Sequence, residues 1–276
     1  GMTCDNLLEV EMVTAQGKVI RANDYQHSDL FWACRGGGDG NFGVITSYTF
    51  RVHPIENVAR YRMTWDFADL GKVVRYWQAW APYTDPRLTP LLALPAQNQG
   101  DLRSSGVFVG SEQELRQVLR PLQEVIRPKT AEFHSATWIE AARLYAGVPL
   151  KQEKFKNSSA YAYEPLPDEA LRVLIRNLQT APGPINVISF DAYGGSISRV
   201  PSNATAFVHR KALFVIQYLS YWNQDAEADR NIKWIEQFRQ AMLPYTRGAF
   251  RNYCDSMIVD WPTAYFGENL AWLIKV

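Results

Sequence analysis

The sequence predicts an α+β fold, a sheet with helices packed on one face. Two observations carry that expectation. Strand-like runs alternate with amphipathic helical runs along most of the 276 residues. The one glycine-rich loop that could open a nucleotide-binding α/β unit stands in the wrong order for it. Gly38, Gly40 and Gly43 match G-x-G-x-x-G, but an apolar helical turn (Leu30, Phe31, Trp32, Ala33) precedes the glycines and a strand-like run from Phe42 to Val52 follows them. A dinucleotide fingerprint needs strand, glycines, then helix, so that a pyrophosphate meets a helix N-terminus. A kinase loop fails too, since no His-Arg-Asp or Asp-Phe-Gly element follows.

The elements follow in order. Leu7 to Thr14 alternates, with Leu8, Val10 and Met12 expected on one face. Ala15-Gln16-Gly17 is a turn and Lys18 to Ala22 a second strand, together a hairpin. Gly36, Gly37, Gly38, Gly40 and Gly43 then crowd into eight residues. Such a loop suits either a tight helix-to-strand turn or a backbone nest for an anion. Arg60 to Trp65 reads as a strand. Leu70, Val73, Val74, Trp77 and Trp80 give a helix over 70–80. Strand-like runs follow at Leu88 to Leu94 and Gly106 to Val109. Ser111 with Glu114 forms a capping box before Leu115, Val118, Leu119 and Leu122, and Pro121 is expected to kink or shorten that helix. Lys156 to Ser159 is polar and reads as a loop. Pro167 opens a helix carrying Leu171, Leu174 and Leu178, which Pro182-Gly183-Pro184 ends. Strands at Asn186 to Tyr193 and Ala212 to Trp222 precede a helix from about Ala226 to Met242, with Pro244 beyond it.

Composition excludes several classes. A net charge of +1 argues against a nucleic-acid partner. Three scattered cysteines exclude a disulfide framework, and four histidines form no metal-ligand pattern. No apolar run reaches ~18 residues, so no membrane span is expected, and without a signal peptide a cytoplasmic location is the expectation. Gly1-Met2 reads as a tag remnant before a start codon. Nine Trp, fourteen Tyr and thirteen Phe imply a well-filled aromatic core.

Three stretches together resemble berberine bridge enzyme-like FAD-linked oxidases of the vanillyl-alcohol-oxidase superfamily. The first runs from Thr3-Cys4-Asp5-Asn6-Leu7-Leu8 through Asp29-Leu30-Phe31-Trp32-Ala33 to Arg35-Gly36-Gly37-Gly38, then Gly40-Asn41-Phe42-Gly43-Val44. The second is Tyr193-Gly194-Gly195, then His209-Arg210, then Leu213 to Trp222. The third is Phe250-Arg251-Asn252-Tyr253-Cys254-Asp255, then Tyr265-Phe266-Gly267. The resemblance implies part of the second FAD-binding subdomain over 1–56, a substrate domain with a largely antiparallel, helix-covered sheet over 57–245, and a C-terminal segment over 246–276. It implies that the first flavin subdomain, with the His and Cys that bond the flavin, is absent from this chain, and that the chain ends before the family's tail.

What the resemblance implies for chemistry is flavin-linked oxidation of an alcohol, sugar or amine-type substrate, with dioxygen as acceptor and little turnover by this chain alone. FAD would meet Gly36, Gly37, Gly38, Gly40, Asn41, Phe42, Gly43, Val44, Asn252 and Tyr253. The catalytic candidates are Tyr253, Gln217, Tyr193 and Asp191. A tyrosine base needs its pKa lowered by neighbours to work near neutrality. Gln217 is either a substrate-facing amide or a satisfied core amide. His209 and Arg210 read as structural. Phe250 and Trp272 stand where the family has Tyr and Arg. The alternative reading is a non-enzymatic binding module, or a subunit whose exposed sheet edge a partner chain or a second copy covers.

Overall fold

The computed structural model describes residues 1–55, 57–145 and 152–276, so the expected boundary at residue 56 lies outside the described residues. The first strands are Leu7–Val13 (β1) and Val19–Asn23 (β2), joined around Gly17. Ser28–Cys34 (α1) buries Phe31, Trp32 and Ala33, and the glycine loop leads to Val44–Phe50 (β3). These strands form a small antiparallel sheet in the order β2-β1-β3. Val10 and Met12 are buried as expected, but Leu8 is exposed and Leu7 buried in its place. The pairing of β1 with β3 slips between Leu7 and Glu9, and one extra residue reverses which side chains face inward. β3 lies at the sheet's edge with Val44, Tyr48 and Phe50 exposed.

The rest of the chain is built on a second sheet. Its elements in order are Val58–Trp65 (β4), Leu70–Trp80 (α2), Leu88–Pro95 (β5), Leu102–Val109 (β6), Glu112–Val125 (α3) and Thr130–Ala136 (β7). Trp138–Tyr145 (α4), Lys154–Ala162 (β8), Asp168–Gln179 (α5) and Ile185–Ala192 (β9) follow. Gly195–Arg199 (α6), Phe214–Trp222 (β10), Ala228–Met242 (α7), Trp261–Phe266 (α8) and Leu270–Leu273 (α9) complete it. The sheet has seven strands, all antiparallel, in the order β7-β4-β6-β5-β9-β10-β8. The α+β expectation therefore holds.

Two expectations fail for physical reasons. Residues 156–159 are strand, not loop, because their polar side chains are answered across the fold. Ser158 donates to Asp255 at 2.5 Å, and Ser159 accepts from the Phe250 amide at 2.8 Å. Pro121 does not shorten α3, which runs on to Val125 behind its Ser111–Glu114 capping box. Pro121 and Gln117, whose carbonyl loses its partner there, are both exposed, so water can serve that carbonyl while Leu115, Leu119 and Leu122 stay buried.

One face of the large sheet is covered by helices. Alternate residues Tyr61, Met63 and Trp65 of β4 and Phe214, Ile216 and Tyr218 of β10 enter the main core. Trp77 of α2 sets its ring edge-on to Phe190 and Phe214, both at 5.9 Å. The opposite face carries Arg62, Ser105, Asp191 and Gln217, the period-2 alternation of a sheet packed on one side. Among the described residues no helix is long and apolar enough to cross a membrane.

The small sheet is tied to the large one by a buried ion pair. Arg210, wholly buried, donates to both carboxylate oxygens of Asp5, at 2.6 and 2.8 Å, and to Thr205 Oγ1 at 2.7 Å. Removing one partner strands a charge in the interior. Asp5→Ala should cost about 3 kcal/mol in urea unfolding. Asp225→Ala, which breaks an exposed contact with Lys154, should cost under about 1 kcal/mol.

Candidate functional site

The glycine loop leaves α1 and is gripped by its own chain. A side chain at Gly36 would strike the Phe207 backbone, and one at Gly38 (φ 98°) would lie 2.6 Å from Arg251 Nε. Asn41 donates to the Gly37 carbonyl at 2.9 Å. Gly43 lies against Met12 and Val13, Phe42 is half-buried and Val44 exposed. Only Gly40, with φ 69° and open space around it, owes nothing to a protein neighbour. The loop is thus first a packing device. Its tip borders a cleft of about 660 Å³ lined by Asn41, Phe42, Arg251, Tyr265 and Leu273 among others.

Arg251 and Tyr253 reach this region because the segment after them is pinned. Asp255 accepts from Lys156 Nζ and Ser158 Oγ, each at 2.5 Å, and from the Met257 amide at 2.9 Å. Burial works against its charge, but these bonds outweigh burial and hold its carboxyl below the ordinary range. Asn252 is exposed.

The structure brings Asp191, Tyr253 and Tyr193 together on the face of the large sheet opposite the main core. Burial pushes the Asp191 carboxyl up to about 6, against the smaller, opposite influence of the nearby Tyr253 hydroxyl. Burial, then the Asp191 charge, pushes Tyr253 up to about 12. The lowered phenol that a tyrosine base requires is therefore not what the fold builds. The group placed near neutrality is Asp191. Tyr193, also raised by burial, meets the Tyr161 hydroxyl at 3.3 Å. Gln217 shares the face one strand over, opposite Ser189 and Ser159, and donates to Asn157 at 3.2 Å. One amide N–H is thereby engaged.

Behind this group lies a buried histidine. His209 donates from Nε2 to the Ala264 carbonyl at 3.1 Å, which leaves Nδ1 to accept from the Tyr163 hydroxyl at 2.8 Å. Its ring stacks on Tyr161 at 4.1 Å. Burial pulls its pKa down to about 4, so it stays neutral and structural, as the sequence suggested. Sequence reasoning missed Tyr161, Ser159 and Arg251 as neighbours of the site. Their only signal was the strand period of β8, hidden by its serines, and a position inside the third motif.

The Asp191 shift is a stability statement with a definite sign. A carboxyl whose folded pKa exceeds its unfolded value near 3.8 loses stability as pH rises through about 6. Asp191→Asn should therefore raise stability at pH 7.5, by about 3 kcal/mol, with the gain vanishing below about pH 4. Urea unfolding of both proteins at the two pH values measures it.

No protein-family model matches the chain. The uncharacterized FAD-linked oxidoreductase YgaK of Bacillus subtilis (strain 168) is 36% identical over 281 residues, covering 100% of this chain and 62% of that protein. A monolignol oxidoreductase of Arabidopsis thaliana is 28% identical over 314 residues, covering 100% of this chain and 58% of its own. The solved structure of Physcomitrella patens BBE-like 1 superposes with a TM-score of 0.89 at 27% identity, over 99% of this chain and 62% of that one. The chain thus spans about three fifths of the length of these relatives. Over its whole length it is homologous to the berberine bridge enzyme-like FAD-linked oxidoreductases, and it corresponds to the C-terminal portion of such a protein.

Proposed function

We propose that this chain supplies the substrate-facing half of an FAD-dependent oxidase that removes hydride from an alcohol, sugar or amine-type carbon, with dioxygen as the final acceptor. The observation that carries it is the proximity of Asp191 and Tyr253 on the sheet face opposite the main core, with Arg251, two residues before Tyr253, against Gly38 of the glycine loop. The residues present fit a flavin. The open backbone at Gly40, the Arg251 guanidinium and the exposed Asn252 are donors suited to an anionic, carbonyl-rich group, and the aromatic-lined cleft suits a planar one. Gly36, Gly37, Gly38, Asn41, Phe42, Gly43 and Val44 would shape that wall.

FAD, when bound, supplies the two-electron acceptor. The chain's own groups handle the proton. Asp191, with a pKa of about 6, is largely ionised at pH 7 yet basic enough to take a proton from a substrate hydroxyl or ammonium. Tyr253, with its pKa near 12, stays protonated and would stand beside that carboxylate as a donor. Tyr193 and Gln217 offer further hydroxyl and amide contacts for a polar substrate. Residues 1–56 would form the flavin-side unit, 57–245 the substrate unit and 246–276 the segment that joins them.

The exposed edge strand β3 favours a second element of the reading. Val44, Tyr48 and Phe50 stand in water on an edge strand that is paired on one side only, a surface that a partner chain or a second copy would cover. The chain alone should show no turnover.

Titration of the purified chain with free FAD tests the reading. Flavin fluorescence should saturate, and the melting temperature should rise as expected for a ligand that binds the folded state. Gly40→Asn, a residue that tolerates the left-handed backbone there, should weaken that binding at least tenfold without lowering the melting temperature of the free chain by more than a few degrees. The flavin should leave on denaturation. No saturation, or yellow protein after denaturation, would sink the reading.

A further inference from the structure

The large sheet ends differently on its two sides. At one end the edge strand β8 is closed by its own chain. Tyr161 and Arg247 exchange backbone hydrogen bonds, both at 2.9 Å, and Ser159 holds the Phe250 amide. At the other end stands β7, with β4 on one side and no strand on the other. Among the described residues no backbone hydrogen bond joins residues 130–136 to anything beyond β4. The strand is straight. It pairs with β4 over its whole length, from Thr130 opposite Thr64 to Ala136 opposite Val58, without a slip in register. It holds no proline and no lysine, and its middle residue Phe133 is half-buried between exposed neighbours. An edge without bulge, proline or lysine is one that a further strand can extend.

The sequence of β7 is arranged about its midpoint. Glu132 and His134 flank Phe133 and face one side of the sheet, while Phe133 itself faces the other, where the Arg116 guanidinium lies 4.0 Å from its ring. A two-fold axis normal to a sheet joins two antiparallel copies of a strand and keeps each face on its own side. Centred on Phe133, such an axis sets Phe133 against the partner's Phe133 and Glu132 against the partner's His134, twice over. An aromatic pair and two carboxylate–imidazole pairs are favourable directly across strands. Centred on Glu132 the axis would oppose two carboxylates, and centred on His134 two imidazoles. Either would also set Phe133 against Ala131 or Ser135. The strand is therefore complementary to itself in one register.

The helix that follows adds apolar surface at the same end. α4 packs over β4 on the face of Glu132 and His134, where its Tyr145 comes close to Ser105. It buries Ala141 and leaves Trp138, Ile139 and Leu144 exposed by 48%, 54% and 57%. Across a seam between two copies of β7, the two β4 strands stand three strand spacings apart, or ~14 Å. The two α4 helices then lie on one side of the joined sheet, close to the seam.

We propose that β7 pairs with β7 of a second copy of this chain, centred on Phe133, and joins two seven-stranded sheets into one. The interface belongs to the large sheet and leaves the β3 edge of the small sheet free. It stands or falls independently of flavin binding.

Sedimentation velocity of the full chain from about 1 to about 100 µM tests this. The chain should run as a dimer at the upper concentration, and amide exchange over residues 130–136 should slow as the dimer fills. His134→Glu opposes carboxylates across the seam and Glu132→Lys opposes cationic groups, so each should weaken the dimer at least tenfold. Both positions are exposed, so neither should lower the melting temperature of the monomer by more than a few degrees. An equimolar mixture of the two variants restores opposite charges in both pairs and should dimerise as the native chain does. The exchanged double variant Glu132→Lys/His134→Glu should do the same. Tyr48→Lys, on β3, should leave the dimer unchanged. A native chain that stays monomeric at the upper concentration, a dimer that both single variants leave intact, a mixture no tighter than the variants alone, or a dimer lost on Tyr48→Lys would each overturn the proposal.

Discussion

Much of the architecture hangs on Arg210. Its guanidinium is fully desolvated and held by Asp5 and Thr205, so it fixes the chain's first turn against the irregular segment that leads into β10. That segment is a hub. Trp32 of α1 donates its indole N–H to the Asn203 carbonyl, Phe207 lies against Gly36, and Asn269 donates to the carbonyls of Ser202 and Thr205. Trp32 also stacks on Trp272 at 4.8 Å. An irregular backbone can be buried only when its polar groups are answered, and here three distant parts of the chain answer them. The glycine loop and the Arg251–Tyr253 stretch meet because both lean on this hub.

The division of the large sheet into a covered and an open face explains where chemistry is possible. The covered face spends its side chains on packing, with aromatic rings at edge-on distances and helices across it. The opposite face packs only over a small cluster that includes Tyr161, Tyr193 and Val215, so elsewhere it can carry serines, arginines and an aspartate at the same two-residue period. Asp191 and Phe190 are chain neighbours, yet one is a candidate base and the other a core ring, because adjacent strand residues face opposite ways.

Elements with a strong local signature were legible in the sequence. The helices beginning at Leu70, Glu112 and Asp168 carry period and caps in their own residues. The order helix, glycines, strand was enough to reject a dinucleotide fold. What stayed hidden depends on partners far along the chain. β8 reads as a loop because Ser158 and Ser159 are satisfied only by residues about a hundred positions on. Leu8 was assigned inward because a bulge leaves no mark in the pattern. The candidate residues Tyr253, Tyr193 and Asp191 were found through the resemblance. Their division of labour was not, because a pKa belongs to a neighbourhood and not to a residue type. The glycines looked like a ligand cradle, yet most of them turned out to let the chain approach itself.

Two strongly perturbed groups around the site, Asp191 and His209, titrate in opposite senses. Asp191 takes up its proton more readily in the folded protein than in the unfolded chain, and His209 takes up its own less readily. Between about pH 4 and 6 the first contribution makes folding more favourable with added acid, and the second makes it less so, over nearly the same interval. Their slopes offset each other, so the neighbourhood acts as a thermodynamic buffer. The charge state of the site can change across mildly acid conditions while the fold that presents it feels little net push from these two groups.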